Sequence, residues 1–224
     1  MKTQFRLLDL CCKAGGCSVG YARAGFEVVG VDIEPQPRYP FEFHQADALT
    51  FPLDGFDAVH VSPHCQGYSV TRHLHAGGAH HPRQVQAFRR RLIQWGGIYV
   101  MENVPGAPLR NPILMCGTMF PELRVFRHRL FESNVCLLAP GECQHGRRRC
   151  GSHRSGAQRV DGFCSVYGKG SHGARKVEAA RAMGINWMTV EELAQAIPPA
   201  YTECIGHQLL AVLERRMCLA GGGR

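Results

Sequence analysis

The sequence predicts an α/β fold: a mostly parallel sheet with helices on both faces. Short apolar runs alternate with stretches of helical spacing, and each run ends in a polar or glycine-rich cluster. A Gly-containing first turn is also followed, 17 residues on, by an acid closing the second run (Gly15 to Asp32). In sheets of this kind ligands bind outside the carboxyl ends of the strands, where these clusters sit.

Residues 5–10 form the first apolar run, followed by Cys11-Cys12-Lys13-Ala14-Gly15-Gly16 and a helical stretch at 18–24 that Gly25 closes. Residues 27–31 are rich in β-branched side chains and end at Asp32, and 57–61 form a third run ending in Ser62-Pro63-His64-Cys65. Across 83–95, Val85, Phe88, Leu92 and Trp95 recur at helical spacing until Gly96-Gly97. A fourth strand over 98–101 runs into Glu102-Asn103-Val104. Beyond Arg129 the periodicity fades, and 136–180 reads as a small irregular subdomain or long loops. Thr189 and Glu192 have capping-box spacing and open a short helix that Pro198-Pro199 ends. Residues 200–216 read as a last amphipathic helix, with a frayed tail at 219–224 and no internal repeats. The division this suggests is a core at 1–135, a basic Cys/His-rich region at 136–184, and closing helices at 185–217.

The 224 residues suffice for one full core, and no apolar run approaches the roughly 18 residues of a membrane helix. The net charge is +8, and it is localised. Between Cys136 and Lys176 stand eight Lys/Arg, among them Arg147, Arg148 and Arg149, against two acids. Such an excess is the footprint of a polyanion contact. The 11 cysteines are an odd count without an export signal, so they are expected to divide into buried thiols, metal ligands and nucleophiles rather than a disulfide framework. A soluble, cytoplasmic, monomeric protein with no membrane partner is expected.

Taken alone, the Gly-rich turn and Asp32 suit a nucleotide or an adenosyl ligand without phosphates. Cys65, on a Pro-containing loop after a strand, is a candidate nucleophile, and Glu102 offers a carboxylate at another strand end. Together the pieces are more specific. Asp9-Leu10-Cys11-Cys12-Lys13-Ala14-Gly15-Gly16, Pro63-His64-Cys65-Gln66, Glu102-Asn103-Val104, Arg127-His128-Arg129 and Ile205-Gly206 stand in one order along the chain. They resemble the successive motifs of the DNA cytosine-5 methyltransferase family, and the compact length with Ile197-Pro198-Pro199 resembles its small phage-encoded branch.

The resemblance implies a Rossmann-like class I methyltransferase fold, S-adenosylmethionine as cofactor, and double-stranded DNA as partner, in the cytoplasm of a prokaryote or phage host. By its motifs Cys65, Glu102, Arg127 and Arg129 would act on the base. Asp9, Cys11, Lys13, Gly15, Gly16, Asp32, Ile33, Asp47, Ala48, Pro63, His64 and His207 would line the cofactor site. Within that set Asp32 would take the ribose hydroxyls, Ile33 would pack on the adenine, and Asp47 would bind its amino group. Gln66, Ser69, Arg72, Asn103 and Arg147–149 would face the nucleic acid.

Four departures stand out: Cys11 for the family's Phe, Lys13 for Gly, His64 for Pro and His207 for Asn. A cation near a sulfonium is unfavourable unless an anion lies between them. Carboxy-S-adenosylmethionine, its extra carboxylate paired with Lys13 or His64, is therefore a second cofactor candidate, with carboxymethyl transfer as the reaction. A tRNA cytosine-5 methyltransferase and an inactive nucleic-acid-binding relative also remain open. Cys143, His145, Cys150 and His153 are a candidate structural zinc set, although their spacing matches no standard finger.

Overall fold

A computed structural model describes residues 4–68, 83–145, 162–166 and 176–221. The chain order is β1 (Arg6–Leu10), α1 (Gly16–Ala24), β2 (Glu27–Asp32), β3 (Glu42–Gln45), β4 (Ala58–Val61), α2 (Val85–Trp95) and β5 (Ile98–Asn103). Then come β6 (Ile113–Met115), a 3₁₀ turn, β7 (Arg129–Ser133), α3 (Lys176–Met183), α4 (Val190–Gln195) and α5 (Pro199–Gly221). Seven strands form one sheet in the order β3-β2-β1-β4-β5-β7-β6. Neighbours among β1 to β5 pair in parallel, whereas β7 runs antiparallel between β5 and β6.

The strands read as apolar runs because the sheet is covered on both faces. On one face Tyr21 of α1, Ala179 and Met183 of α3, Leu193 of α4 and Tyr201, Ile205 and Leu209 of α5 share a core with Leu7, Val28 and Val100. On the other, Val85, Phe88 and Leu92 of α2 pack with Leu8, Val59 and Met101. The expected capping box opens α4: the Thr189 side chain accepts from the Glu192 backbone N–H, and the Glu192 carboxylate accepts from that of Thr189.

Some elements depart from expectation. Within the stretch read as irregular, α3 forms and packs on the main core, and Val125 bridges to Cys164. The last helix begins at Pro199, which tolerates a first helical turn because its missing N–H has no partner there. No helix among the described residues is long and apolar enough to cross a membrane.

Parallel order brings the carboxyl ends of β1, β2, β4 and β5 to one edge of the sheet, and the strand order reverses between β1 and β4. Helix α1 leaves this edge and α5 runs beside it in the same direction. A Cβ added at Gly16 would lie 2.5 Å from the Ile197 carbonyl oxygen, and one at Gly206 would lie 2.6 Å from the Ala24 Cβ. The start of α5 therefore sits at this edge, and residues 205–207 sit near the far end of α1.

Candidate active site

The turn after β1 is held by backbone geometry. Cys11, Lys13 and Gly15 have positive φ (61°, 47° and 83°), and a Cβ on Gly15 would press against Tyr39 and Pro40 at 3.0 Å. Trp187 Nε1 donates to the Ala14 carbonyl at 2.8 Å, tying the turn to the chain ahead of α4. At the end of β2, Asp32 accepts the backbone N–H of Lys13 at 3.1 Å and of Glu34 at 3.0 Å. The Lys13 ammonium donates to Glu34 at 2.7 Å and stands 3.6 Å from Asp32. The departure at position 13 thus carries its own counter-charges. Ile33 beside Asp32 is 63% exposed, an apolar face next to the acid.

Asp9, at the base of the turn, is fully buried. Ser18 Oγ donates to its Oδ2 at 2.5 Å, and Tyr39 O–H donates to Ser18 at 2.8 Å. Its other oxygen, Oδ1, has no hydrogen-bond partner. Burial, opposed by the Ser18 bond, pushes the carboxyl up to about 7. Cys11, Cys12 and Cys17 around it are all pushed up by burial, and none of the three is exposed to a substrate.

Cys65 differs. It is exposed, on the loop after β4. The loop is pinned to the neighbouring strand, because Asn103 Nδ2 donates to the Pro63 carbonyl at 2.9 Å while its Oδ1 accepts from Val104 N–H at 2.9 Å. Glu102, one residue earlier on β5, is buried, and Arg129 Nε meets its Oε1 at 3.0 Å. Desolvation raises the Cys65 pKa, and the Glu102 charge raises it further against the pull of Arg129 and Arg127. Burial also raises Glu102, opposed by Arg129, a Ser62 hydrogen bond and Arg127.

Behind Glu102 runs a buried polar chain that sequence reading missed. Tyr21 Oη lies 2.9 Å from His60 Nδ1, and His60 Nε2 lies 2.9 Å from Ser62 Oγ. Burial pushes His60 down to about 3, so its ring is neutral. His60 thus links Tyr21 to Ser62 behind Glu102, and Ser62 is one of the groups that opposes the upward push of burial on the Glu102 carboxyl. His60 lies inside an apolar β4 run, where periodicity marks burial but not a polar partner.

The structure brings Asp9, Lys13, Gly15, Gly16 and Asp32 together at one edge with Pro63, His64, Cys65 and Glu102. Gln66 and His64 are exposed beside Cys65, and Asp47 is exposed with Ala48 buried behind it. Asn103, expected to face nucleic acid, is instead buried and holds the Cys65 loop. Arg127, expected at the base pocket, is buried and donates to the carbonyls of Val166 (2.6 Å) and Ala194 (2.8 Å). Only its charge reaches Glu102 and Cys65, while Arg129 makes the direct contact.

His207 is exposed beside Gly206 at the far end of α1, away from the turn after β1. The segment that abuts Gly16 is Ala196 and Ile197, so the closing element sits about two helical turns earlier than expected. Ser69, Arg72, Arg147–149, Cys150 and His153 lie outside the described residues. Of the expected zinc set, Cys143 and His145 instead converge with Cys116 and His128.

No protein-family model matches the sequence, and no curated protein does. Solved structures do match. A putative DNA modification methyltransferase encoded within a prophage of E. coli superposes with a TM-score of 0.65 at 16% identity, covering 94% of this chain and 100% of that one. The Dnmt2 methyltransferase of S. pombe gives 0.60 at 13%, covering 94% and 99%. The Entamoeba histolytica methyltransferase EhMeth gives 0.59 at 10%, covering 95% and 99%. The chain thus has the Rossmann-like class I methyltransferase fold.

Proposed function

We propose that the chain is a DNA cytosine-5 methyltransferase using Cys65 as nucleophile and S-adenosylmethionine as cofactor. The observation that carries this reading is an exposed thiol on a loop pinned to the strand that presents a buried, Arg129-held Glu102. Similarity in fold to a DNA modification methyltransferase of E. coli and to Dnmt2 supports it.

Cytosine carbon 5 is a poor nucleophile. Addition of the Cys65 thiolate at carbon 6 turns the ring into an enamine that is nucleophilic at carbon 5. Negative charge then builds toward ring nitrogen 3, where a protonated Glu102 donates a hydrogen bond. Arg129 fixes that carboxyl, and Ser62, backed by His60 and Tyr21, orients it from behind. After transfer, solvent water takes the carbon-5 proton as the bond between carbon 6 and the Cys65 sulfur breaks, releasing the thiolate and restoring the aromatic ring. The base must leave the duplex to meet both groups, at a cost of a few kcal/mol.

The residues present fit the cofactor. The orphaned Asp9 Oδ1, the Asp32 carboxylate and exposed Ile33 provide a buried acceptor, ribose partners and an apolar adenine face. When bound, S-adenosylmethionine supplies an electrophilic methyl on a sulfonium. The pairing of Lys13 with Glu34 and Asp32 favours this donor over carboxy-S-adenosylmethionine, because the cation that called for an extra carboxylate already has two partners. The basic stretch within 136–184 is the proposed target-recognition part, with the chain acting as a monomer on duplex DNA.

The test is a covalent trap. Duplex DNA carrying 5-fluorocytosine, incubated with protein and S-adenosylmethionine, gives a denaturation-resistant adduct that Cys65→Ser abolishes. No adduct with the wild type refutes the reading. An adduct with tRNA and not DNA moves the substrate to RNA, and carboxymethylcytosine in nucleoside mass spectra moves the cofactor to the carboxylated form.

A further inference from the structure

A four-ligand cluster lies outside the active site. Cys116 follows β6, His128 stands between Arg127 and Arg129, and Cys143 and His145 lie on the segment leading toward the basic run at 147–149. Their ligand atoms all fall within 4.8 Å of one another. Cys116 Sγ is 3.3 Å from His145 Nε2, and His128 Nε2 is 3.2 Å from Cys143 Sγ. The two imidazole rings lie nearly parallel, 16° apart with centroids at 4.7 Å. We propose that Cys116, His128, Cys143 and His145 bind one structural zinc ion that braces the Arg127–Arg129 segment.

The chemistry selects the metal. Two thiolates and two imidazoles, with no carboxylate in the set, match the soft and borderline ligands that tetrahedral zinc takes, and two thiolates neutralise its charge. With Zn–S near 2.3 Å and Zn–N near 2.0–2.1 Å, a tetrahedral angle puts sulfur and nitrogen about 3.6 Å apart. The two observed separations are within a few tenths of an ångström of that. Isolated thiol–imidazole hydrogen bonds would explain either pair, but not the convergence of all four groups on one point. The surroundings also suit a metal thiolate: Thr118 Oγ1 donates to Cys143 Sγ at 3.8 Å and accepts the Gln144 backbone N–H at 3.1 Å.

The placement gives the ion a task. Three segments separate in sequence meet at it, and all four ligands stand on loops outside the helices and strands. The His128 carbonyl accepts from Arg129 Nη1 at 2.8 Å, so fixing His128 fixes the backbone from which Arg129 reaches Glu102. His128 is thus a positioning residue for Arg129, a role that rests on the proposed function, whereas the zinc site does not.

Full-length protein expressed with added zinc, then desalted, tests the site by elemental analysis and X-ray absorption. The expected result is one zinc per chain with two sulfur and two nitrogen neighbours. Cys143→Ser and His145→Ala should lose the metal, the double variant Cys150→Ser/His153→Ala should keep it, and Thr118→Val should weaken affinity about 10–100-fold. Chelation should raise hydrogen exchange across 116–129 in a protein that still contains its sheet. Metal-free wild type, a shell of nitrogen and oxygen only, or zinc that survives Cys143→Ser overturns the proposal. Should the ligand variants fail to fold, the wild-type absorption spectrum alone decides, and none of these readouts depends on activity.

Discussion

Asn103→Ala separates a residue that positions the nucleophile from one that touches nucleic acid. The side chain is fully buried, and its loss leaves the Pro63 carbonyl without its 2.9 Å partner. An orphaned buried acceptor costs about 1–3 kcal/mol. At roughly 2–4 °C per kcal/mol for a domain of this size, the melting temperature should fall by about 2–12 °C. The larger effect is on rate. Pro63 lies two residues before Cys65, and a misplacement of about 1 Å in a reacting group costs on the order of 10²-fold. Single-turnover trapping on 5-fluorocytosine DNA at saturating DNA should slow by that factor, while DNA affinity and its salt slope stay as in the wild type. An unchanged trapping rate alongside the lowered melting temperature would reduce Asn103 to a purely structural residue. Weakened binding with an intact rate would restore it to the nucleic-acid surface.

Two further perturbations probe the frame of the site. Arg89 and Glu132 form a buried pair at 2.6 Å, each 2% exposed, and Glu132 also accepts the Arg110 backbone N–H at 2.7 Å. Arg89→Met should cost about 3–5 kcal/mol in urea unfolding by stranding the carboxylate, and Arg89→Met/Glu132→Leu should recover most of it; a single variant as stable as wild type refutes this. Asp9, raised from 3.8 to about 7, makes the folded state bind the extra proton over that window, so its contribution falls as pH rises. His60, lowered from 6.5 to about 3, acts in the opposite sense, so the two offset between about pH 4 and 6.5. Asp9→Asn should uncover the His60 slope, giving a stability that falls on acidification below about pH 6.5 by thermal melts, and a flat profile in that variant counts against both assignments.

The sheet was legible where burial on both faces turned a strand into an apolar run: β1, β2, β4 and β5 all lie within about two residues of their expected positions. It was illegible at the edges. Strand β3 reads Glu-Phe-His-Gln because it pairs on one side only and is largely exposed. The β6–β7 pair, with β7 inserted beside β5, depends on long-range pairing that no local period encodes. The motif cysteine and acid could be read because chemistry restricts their identity. The roles of Asn103, Arg127 and His207 could not, since each turns on which way a buried or helical position faces. The proposed zinc set shows the same limit: neighbours in sequence suggested Cys150 and His153, which lie outside the described residues, whereas the convergence of Cys116 and His128 on Cys143 and His145 is a tertiary feature that no local spacing encodes.

The electrostatics of Cys65 and Glu102 lead to a last expectation. The proposed chemistry needs a thiolate beside a protonated carboxyl, yet the resting state between the two pKa values holds a thiol beside a carboxylate. Both states carry one negative charge, so they differ only by a proton moved from Cys65 to Glu102. Because the Glu102 charge is one cause of the raised Cys65 pKa, protonating Glu102 makes the thiolate easier to form. The reactive combination is therefore a minor but constant fraction across the interval between the two pKa values. Rates of trapping should be flat there and fall on both sides, whereas alkylation of Cys65 by iodoacetamide without DNA should climb with pH throughout, since it needs only the thiolate. Glu102→Gln should lower the Cys65 pKa and speed alkylation at neutral pH while abolishing rapid trapping. A trapping rate that instead rises tenfold per pH unit over the same interval would mean that Glu102 gives up no proton to the reaction, and the acid role assigned to it would fail.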